Sequence, residues 1–419
     1  MKKCEKCGLE MLDEAIFCPQ CGFKNTMTGE KIKTKKQEPK KHRKLYKIVV
    51  PFVIIVIVLA AGIGYQYIQE NKESESVGEY ILYEHAIYYF ENGAFYKANE
   101  DGTNVKKIKT IKALGENKKD NCCNCFTVYK NRLYVVRRQE NESYIFSIKL
   151  DGTGFRKDVE LAALKQVNGK KYTGNIYFAS IKNNVIYYQY QKNEKDNFTI
   201  YKQKIGSSKS IRTKYKFKQV CLLYKDCVFY ETNFSKADTI ENRDTKIIKE
   251  NLNTGKKEVC FDTTKMGTKI QGIIEDKNYL LMISKNALYR MNLKDPKDCK
   301  KYSLKGCSEY LINQDYSYVR LCGANEKEII YIGNIYVEKR AYKENKSQKF
   351  INPVEAFSEY EENEVKSFNV EQLGNAIIFK IYPDYKEYKK ETTIFLPERK
   401  GTNYQKLIMK RLSEKYKKE

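Results

Sequence analysis

A unit of two alternating strands joined by turn residues recurs along most of this 419-residue chain and limits the folds open to it. The first copy, AIYYFENGAFYKANEDGT, begins at residue 86 and joins two tyrosine-rich runs. The first strands of the copies begin at residues 87, 133, 186, 228, 280, 329 and 377, so successive copies start 42 to 53 residues apart. The second strands follow at 94–107, 144–157, 199–212, 246–259 and 287–300, with weaker copies at 334–340 and 393–402.

The period and the alternation together predict a β-propeller. Apolar residues in these segments alternate with a period of two, which indicates strands, whereas solenoids of helix pairs need helical spacing. A period of roughly 40 to 50 residues is typical of propeller blades of about four strands. We therefore expect a mainly β fold with a propeller of about seven blades over residues 80–403. A tandem of two β-sandwiches is the structural alternative.

Several repeated residues have structural explanations. Asn92-Gly93 lies between two alternating runs, and both residue types tolerate the positive φ of a type I′ hairpin turn. Asp101 and Asp151, each followed by Gly-Thr, are expected to form turns and not to bind calcium. The repeated tyrosines are expected to pack between blades; they are Tyr88, Tyr134 and Tyr187.

Two stretches carry a resemblance to known propellers. IYYFENGAFYKANEDGT and LYVVRRQENESYIFSIKLDGT resemble Gram-positive extracytoplasmic domains of unknown function that are related to the YWTD-type propellers of the low-density-lipoprotein receptor. The resemblance implies the architecture of the ring. Tyr88-Tyr89-Phe90 stands where the Tyr-Trp-Thr-Asp motif would be, so the ligand contacts of the receptor are not implied.

The N-terminus contains two C-x-x-C pairs, each followed by glycine. Four thiolates at this spacing predict one structural Zn²⁺ bound by Cys4, Cys7, Cys18 and Cys21, with two disulfides as the alternative. Residues 1–25 resemble the short zinc ribbons that begin many bacterial membrane proteins. That resemblance implies a structural or interaction module.

Residues 48–68, IVVPFVIIVIVLAAGIGYQYI, contain no charged side chain. At about 1.5 Å per residue, a helix of this length crosses the roughly 30 Å hydrocarbon layer of a bilayer. A basic linker, 26–47, precedes this single transmembrane helix, and an acidic stalk, 69–79, follows it. The positive-inside rule therefore predicts a cell-membrane protein with a cytoplasmic N-terminus and an extracytoplasmic C-terminal domain. Residues 404–419 are assigned to a C-terminal tail.

Catalytic chemistry has few candidate residues. The chain has only two histidines, His42 and His85, and none of the common hydrolase or phosphate-binding motifs. The dense thiol cluster NCCNC contains Cys122, Cys123 and Cys125 but lacks C-x-x-C spacing. Two further cysteine pairs are close enough in sequence to form disulfides; they are Cys221 with Cys227 and Cys299 with Cys307.

These observations predict a non-catalytic binding or sensor protein. The net charge of +25 favours an anionic envelope polymer or an envelope protein as the partner of the propeller. Nucleic acid is not the expected partner, because no stacking aromatics are interleaved with the basic residues near the ribbon. One alternative is a propeller enzyme, a glycan hydrolase or lyase with paired carboxylates. Another makes the ribbon a module that binds nucleic acid or a regulator, with the propeller as its sensor.

Overall fold

A computed structural model shows two compact units, Met1–Ile68 and Gln69–Glu419. The residues that the structure describes are 2–4, 6–11, 17, 18, 20, 21, 74–91, 93–114, 122–139, 142–161, 165–167, 170–193, 195–217, 222–232, 245–267, 270, 272–276, 278–284, 287–303, 320–324, 328–332, 337–341, 348–351, 365–373, 376–383 and 392–397.

The first unit contains one short hairpin. Strand β1 (Lys2–Lys3) pairs antiparallel with β2 (Glu10–Met11), and Lys3 lies opposite Glu10. The basic linker and the predicted span, residues 26–68, lie outside the described residues. Within the described ranges, no helix is long and apolar enough to cross a membrane.

The second unit begins with a five-stranded antiparallel sheet whose strands follow chain order. This sheet, sheet 1, consists of β3 (Glu75–Val77), β4 (Tyr80–Tyr83), β5 (Ala86–Glu91), β6 (Ala94–Asn99) and β7 (Lys106–Thr110). A 3-10 turn, Lys112–Leu114, follows it. Strand β3 lies within the segment predicted as a stalk.

Five four-stranded sheets follow, each with its strands in chain order. Sheet 2 consists of β8 (Cys122–Tyr129), β9 (Arg132–Gln139), β10 (Glu142–Lys149) and β11 (Arg156–Glu160). A separate hairpin consists of β12 (Lys165–Val167) and β13 (Lys170–Tyr172). Sheet 3 consists of β14 (Asn175–Lys182), β15 (Val185–Gln191), β16 (Phe198–Lys204) and β17 (Ile211–Phe217).

Sheet 4 consists of β18 (Leu222–Tyr224), β19 (Cys227–Thr232), β20 (Lys246–Asn251) and β21 (Lys257–Asp262). The short helix α1 (Thr263–Met266) follows it. Sheet 5 consists of β22 (Gly272–Asp276), β23 (Tyr279–Ser284), β24 (Ala287–Asn292) and β25 (Cys299–Ser303). Sheet 6 consists of β26 (Arg320–Ala324), β27 (Glu328–Ile332), β28 (Val337–Ala341) and β29 (Gln348–Ile351).

The last sheet, sheet 7, has three described strands. They are β30 (Val365–Leu373), β31 (Ala376–Pro383) and β32 (Thr392–Pro397). The described strands therefore form five four-stranded blades, where the sequence predicted about seven. The first repeat has a fifth strand because β3 pairs with β4 before the repeat begins, and the last has three.

Apolar layers join successive sheets of the ring. Between sheets 1 and 2, the ring of Phe90 meets that of Phe146 edge-on, with centroids 5.5 Å apart. Between sheets 4 and 5, the rings of Phe261 and Tyr289 meet in the same way at 5.1 Å. Further layers join sheet 2 to sheet 3 and sheet 3 to sheet 4. This succession excludes two separate sandwiches.

The last sheet packs against the first, which closes the ring. The buried ring of Phe395 lies 5.1 Å from that of Tyr89 and 6.0 Å from that of Tyr80, between centroids. Leu373 and Ala376 belong to the same buried cluster. The first strands of neighbouring meanders contact each other, as β4 does β8, and these strands therefore line the inside of the ring. Sheets with closed, radial packing of this kind form a β-propeller.

Candidate metal centre

The turn between β1 and β2 shapes the first cysteine pair. The backbone N–H of Gly8 donates to the carbonyl oxygen of Cys4 at 2.9 Å, and the N–H of Cys4 donates to that of Leu9 at 2.9 Å. Gly8 has φ +73°, a conformation that side-chain-bearing residues rarely adopt. Glycine after the first C-x-x-C pair therefore permits the turn between β1 and β2.

The four cysteines predicted as ligands lie together. Their Sγ atoms are all within 4.8 Å of one another. The Sγ atoms of Cys4 and Cys21 are 3.6 Å apart, and those of Cys7 and Cys18 are 3.5 Å apart. A tetrahedral ion with bonds of about 2.3 Å to sulfur holds its ligands about 3.8 Å apart. The spacing suits a bound metal ion, and the two disulfides considered as the alternative are absent at these four residues.

Backbone donors favour the thiolate form of Cys18 at this centre, whereas burial opposes it. Cys4 and Cys18 are buried, Cys21 is half-buried and Cys7 is exposed. Leu9 packs against the buried pair. The backbone N–H of Cys21 is the largest influence on Cys18 and lowers the pKa of its thiol to about 6. Four protein ligands leave no open coordination position, so the centre is suited to a structural ion and not to catalysis.

Elsewhere in the described ranges, no other three or more Cys, His, Asp or Glu side chains are grouped so that they could hold an ion. Asp101 accepts hydrogen bonds from the backbone N–H and the hydroxyl of Thr103, at 3.0 and 2.6 Å. Asp151 accepts the same two bonds from Thr153, at 2.8 and 2.7 Å. The predicted turn-forming role of both aspartates is confirmed.

The repeated tyrosines are buried, as predicted for packing residues; Tyr88, Tyr134 and Tyr187 are each at most 6% exposed. The thiols of NCCNC also lie in the core, since Cys123 and Cys125 are buried on β8. The Sγ of Cys125 donates to the carbonyl oxygen of Glu79 at 3.1 Å.

For each of the two disulfides suggested by the sequence, the structure describes one of the two cysteines. Cys227 and Cys299 are half-buried free thiols. Cys221, Cys307 and the side chain of Cys122 lie outside the described residues.

The histidine of the propeller lies on the surface. His85 belongs to the turn between β4 and β5, has φ +61°, and its Nδ1 lies 2.8 Å from a carboxylate oxygen of Glu100. Its side chain is 92% exposed. His42 lies outside the described residues. The imidazole is therefore at the surface and not beside a buried nucleophile or acid.

The inner wall of the ring has few carboxylates. Strands β4, β8, β14 and β18 contain no Asp, Glu or His. In sequence, strands β3, β22, β26 and β30 contain four acidic residues, which are Glu75, Glu275, Asp276 and Glu371. The sequence alone does not show which acidic residues lie on the inner strands, because only two later strands of each repeat have a recognisable apolar alternation.

Solved structures with related architecture include enzymes and a binding complex. An oligogalacturonate lyase in complex with manganese aligns with a TM-score of 0.45 at 10% identity, over 75% of this chain and 86% of that chain. A nidogen/laminin complex aligns with a TM-score of 0.34 at 10% identity, over 66% of this chain and 91% of that chain. A post-proline cleaving enzyme from Rickettsia typhi aligns with a TM-score of 0.40 at 12% identity, over 80% of this chain and 54% of that chain. Similarities this low support no inference about activity.

No curated protein matches the sequence. One family matches a short part of the chain: residues 3–25 match the zinc-ribbon domain. The match includes Cys4, Cys7, Cys18 and Cys21, the four cysteines whose sulfur atoms lie together. The N-terminal unit of this protein therefore contains a zinc-ribbon domain.

Proposed function

We propose that this protein is a membrane-anchored, non-catalytic binding or sensor protein. Its cytoplasmic ribbon holds one Zn²⁺ through the four clustered cysteines. The uncharged segment 48–68 crosses the membrane once, and the propeller lies on the extracytoplasmic side. There it recognises an anionic envelope polymer or an envelope protein.

The observation that carries this proposal is the composition of the inner wall. Propeller enzymes that cleave glycans need two carboxylates on one bond, and several hydrolases need an imidazole. Four of the first strands provide neither group. Apart from Lys182, these four strands consist of apolar and neutral polar residues, which are better suited to holding the ring together than to acid–base chemistry.

Charge supports an anionic partner. The chain carries 78 basic and 53 acidic residues. A surface with this excess attracts anions over long range and raises the rate of encounter. The envelope on the predicted side of the membrane is the place where a tethered domain would meet such polymers.

Zinc is the metal that fits the ribbon best. Four thiolates in a closed tetrahedral set are a common structural zinc site, and thiolates suit soft or borderline ions. The ion would hold the first and second C-x-x-C pairs together, which the two-residue strands β1 and β2 cannot do alone. The ribbon then serves as a small rigid surface for a cytoplasmic partner.

One observation favours a second candidate, an extracytoplasmic glycan hydrolase or lyase. Strand β3 contacts β30 at the inner edge of the ring, and these strands carry Glu75 and Glu371. Each of the two contacting strands contributes one acidic residue to the sequence, and a pair of acidic residues is what such an enzyme requires. The inner wall beside them, on β4 and β8, contributes no further acid or base.

The two candidates differ in the products they generate. Full-length protein in neutral detergent is incubated with isolated envelope, and both bound protein and soluble saccharide are measured over time. The proposal predicts saturable binding and no saccharide above a heat-denatured control. Saccharide that accumulates with wild type, and is lost with Glu75→Gln or Glu371→Gln, would establish the enzyme instead.

A further inference from the structure

The outermost strands of the blades differ from one another in charge. In each sheet the last strand is farthest from the inner wall. This strand is β7 in sheet 1 and β17 in sheet 3. All three basic residues of each strand are exposed. They form two basic strips; strip 1 is Lys106, Lys107 and Lys109, and strip 3 is Arg212, Lys214 and Lys216.

The corresponding strands of sheets 2 and 4 have compensated charge. On β11, Arg156 Nε lies 2.8 Å from a carboxylate oxygen of Asp158. Lys157 Nζ lies 2.9 Å from oxygens of both Glu142 and Glu160. On sheet 4, two ion pairs involve β21: Lys257 with Glu250 at 3.6 Å, and Lys246 with Asp262 at 3.3 Å.

The strips lack such partners within the described part of the chain. No described carboxylate lies within ion-pair distance of any of the six residues. Lys214 lies over the ring of Tyr215, with its Nζ 5.4 Å from the centroid. The positive charge of the outermost strand is therefore compensated in sheets 2 and 4 and uncompensated in sheets 1 and 3.

The charges that lie opposite each other on the last two strands also differ between sheets 1 and 4. In sheet 1, Lys97 on β6 lies directly opposite Lys106 on β7, and both side chains are exposed. In sheet 4, Lys249 lies opposite Glu258 and Glu250 lies opposite Lys257. Like charges directly opposite each other destabilise a sheet, whereas opposite charges stabilise it.

Protection of an exposed edge does not require this arrangement. Charged side chains on an edge strand prevent aggregation, and paired charges of both signs achieve this on β21. A like-charge pair adds a cost to folding that edge protection does not explain. A bound anion that lies across the strip would remove the cost, because it places negative charge between the two ammonium groups.

We propose that the two basic strips bind a linear polyanion that carries phosphate groups along its length. This proposal rests on the proposed binding function and names its surface and ligand chemistry. Exposed lysine and arginine side chains repeated along an extended strand provide several separate positive charges, so they suit a repeating anionic chain better than a single small anion.

A bilayer surface fits the strips less well. Binding to lipid needs apolar side chains that enter the interface beside the basic ones. Val105 and Ile211 flank the strips and are 46% and 53% exposed. Val259, on the compensated strand β21, is equally exposed at 52%, so exposed aliphatic residues do not distinguish the strips. The distinguishing feature is charge.

The test measures binding of inorganic polyphosphate to the full chain in neutral detergent at several salt concentrations. Replacing strip 1 by Lys106→Gln, Lys107→Gln and Lys109→Gln is expected to weaken binding about tenfold and to reduce its salt dependence. A matched triple variant, Arg156→Gln, Lys157→Gln and Lys257→Gln, removes the same number of charges from compensated strands. It is expected to weaken binding less than about twofold.

Lys106→Glu separates binding from folding. It replaces the like-charge pair with an opposite-charge pair of the kind seen at Lys249 and Glu258, so the unfolding midpoint is expected to rise while polyphosphate affinity falls. Equal losses in the strip and control variants would overturn the proposal. So would unchanged binding in Lys106→Glu together with a raised midpoint.

Two further arms identify other outcomes. If phosphatidylglycerol vesicles, but not polyphosphate, compete for the strips, the surface is a lipid contact and the proposal is wrong. If the strip variants keep full affinity for isolated envelope, the proposed binding function stands and its location on the strips is wrong. If wild type binds neither envelope nor polyphosphate, the proposed function fails as well.

Discussion

At the scale of residues, the four N-terminal cysteines are the part of the molecule in which local sequence decides most. Their Sγ atoms lie within 4.8 Å of one another, and Gly8 accepts a φ of +73° in the turn after the first pair. A metal ion bound by these four sulfur atoms would replace the hydrophobic core that so short a hairpin lacks. The spacing of cysteine and glycine was therefore enough to predict this site.

Metal content tests this centre. Purified full-length protein is expected to contain about one zinc ion per chain. Cys18→Ser removes a buried ligand and is expected to lose the ion on dialysis against a weak chelator, as measured by elemental analysis. Cys260→Ser, which alters a half-buried thiol of sheet 4, should retain it. Loss of zinc from the Cys260→Ser variant, or its retention in Cys18→Ser, would contradict the assignment.

The positions of some other residues depend on contacts that are distant in sequence. The buried cysteines of NCCNC give no sign in the sequence that they face the layer between sheets 1 and 2. Glu75 and Ser76, in the predicted stalk, belong instead to β3, which pairs with β4. Neither position could be predicted, because both depend on contacts with residues far along the chain.

At the scale of elements, the sequence predicted two adjacent strands of every described sheet. The alternating pairs that begin at residues 87, 133, 186, 228, 280, 329 and 377 correspond to β5, β9, β15, β19, β23, β27 and β31 with their following strands. In sheets 1 to 5 these strands contain most of the buried apolar residues, so their apolar pattern is strong. In sheet 1, Glu91 pairs with Ala94, which leaves two residues for the predicted turn.

The first and last strands of the blades were missed for physical reasons. Strand β7 is exposed or half-exposed at every residue, so its sequence has no apolar alternation to find. Strand β18 has three residues, too few for any periodicity. Strand β3 precedes the first repeat altogether. The prediction of about seven four-stranded blades was therefore wrong in detail, since five of the sheets have four strands.

The turn after β6 contacts the preceding sheet, and this contact can be tested by mutation. Gly102 (φ +76°) follows β6, and a methyl group there would overlap Phe395 Cβ of sheet 7. Gly206 (φ +83°) follows β16 in the same position, with nothing within 4 Å of an added methyl group. Alanine at either site adopts an unfavourable backbone conformation, at a cost of about 1–2 kcal/mol.

Gly102→Ala is expected to lower the free energy of unfolding by about 1–3 kcal/mol more than Gly206→Ala, because it also overpacks the contact that closes the ring. Urea unfolding of the two variants, followed by tyrosine fluorescence, measures the difference. Equal losses would show that the first and last sheets are not packed as described.

At the scale of the whole molecule, two compact units have different sources of stability. The ribbon has a cluster of four cysteines suited to binding a metal ion, and the propeller has apolar layers between its sheets. Ring closure leaves the outer strands as the extended edges that remain exposed. Those edges, and not the inner wall, carry the uncompensated positive charge of strips 1 and 3.

The measurement that tests the binding function most directly is an isotherm of the full chain on isolated envelope, before and after removal of its anionic polymers, at low and high salt. We predict saturable binding to intact envelope that persists at high salt with reduced affinity, and a large loss of binding once the polymers are removed. Binding that disappears at high salt, or that is the same without the polymers, would contradict recognition of an anionic polymer by the propeller.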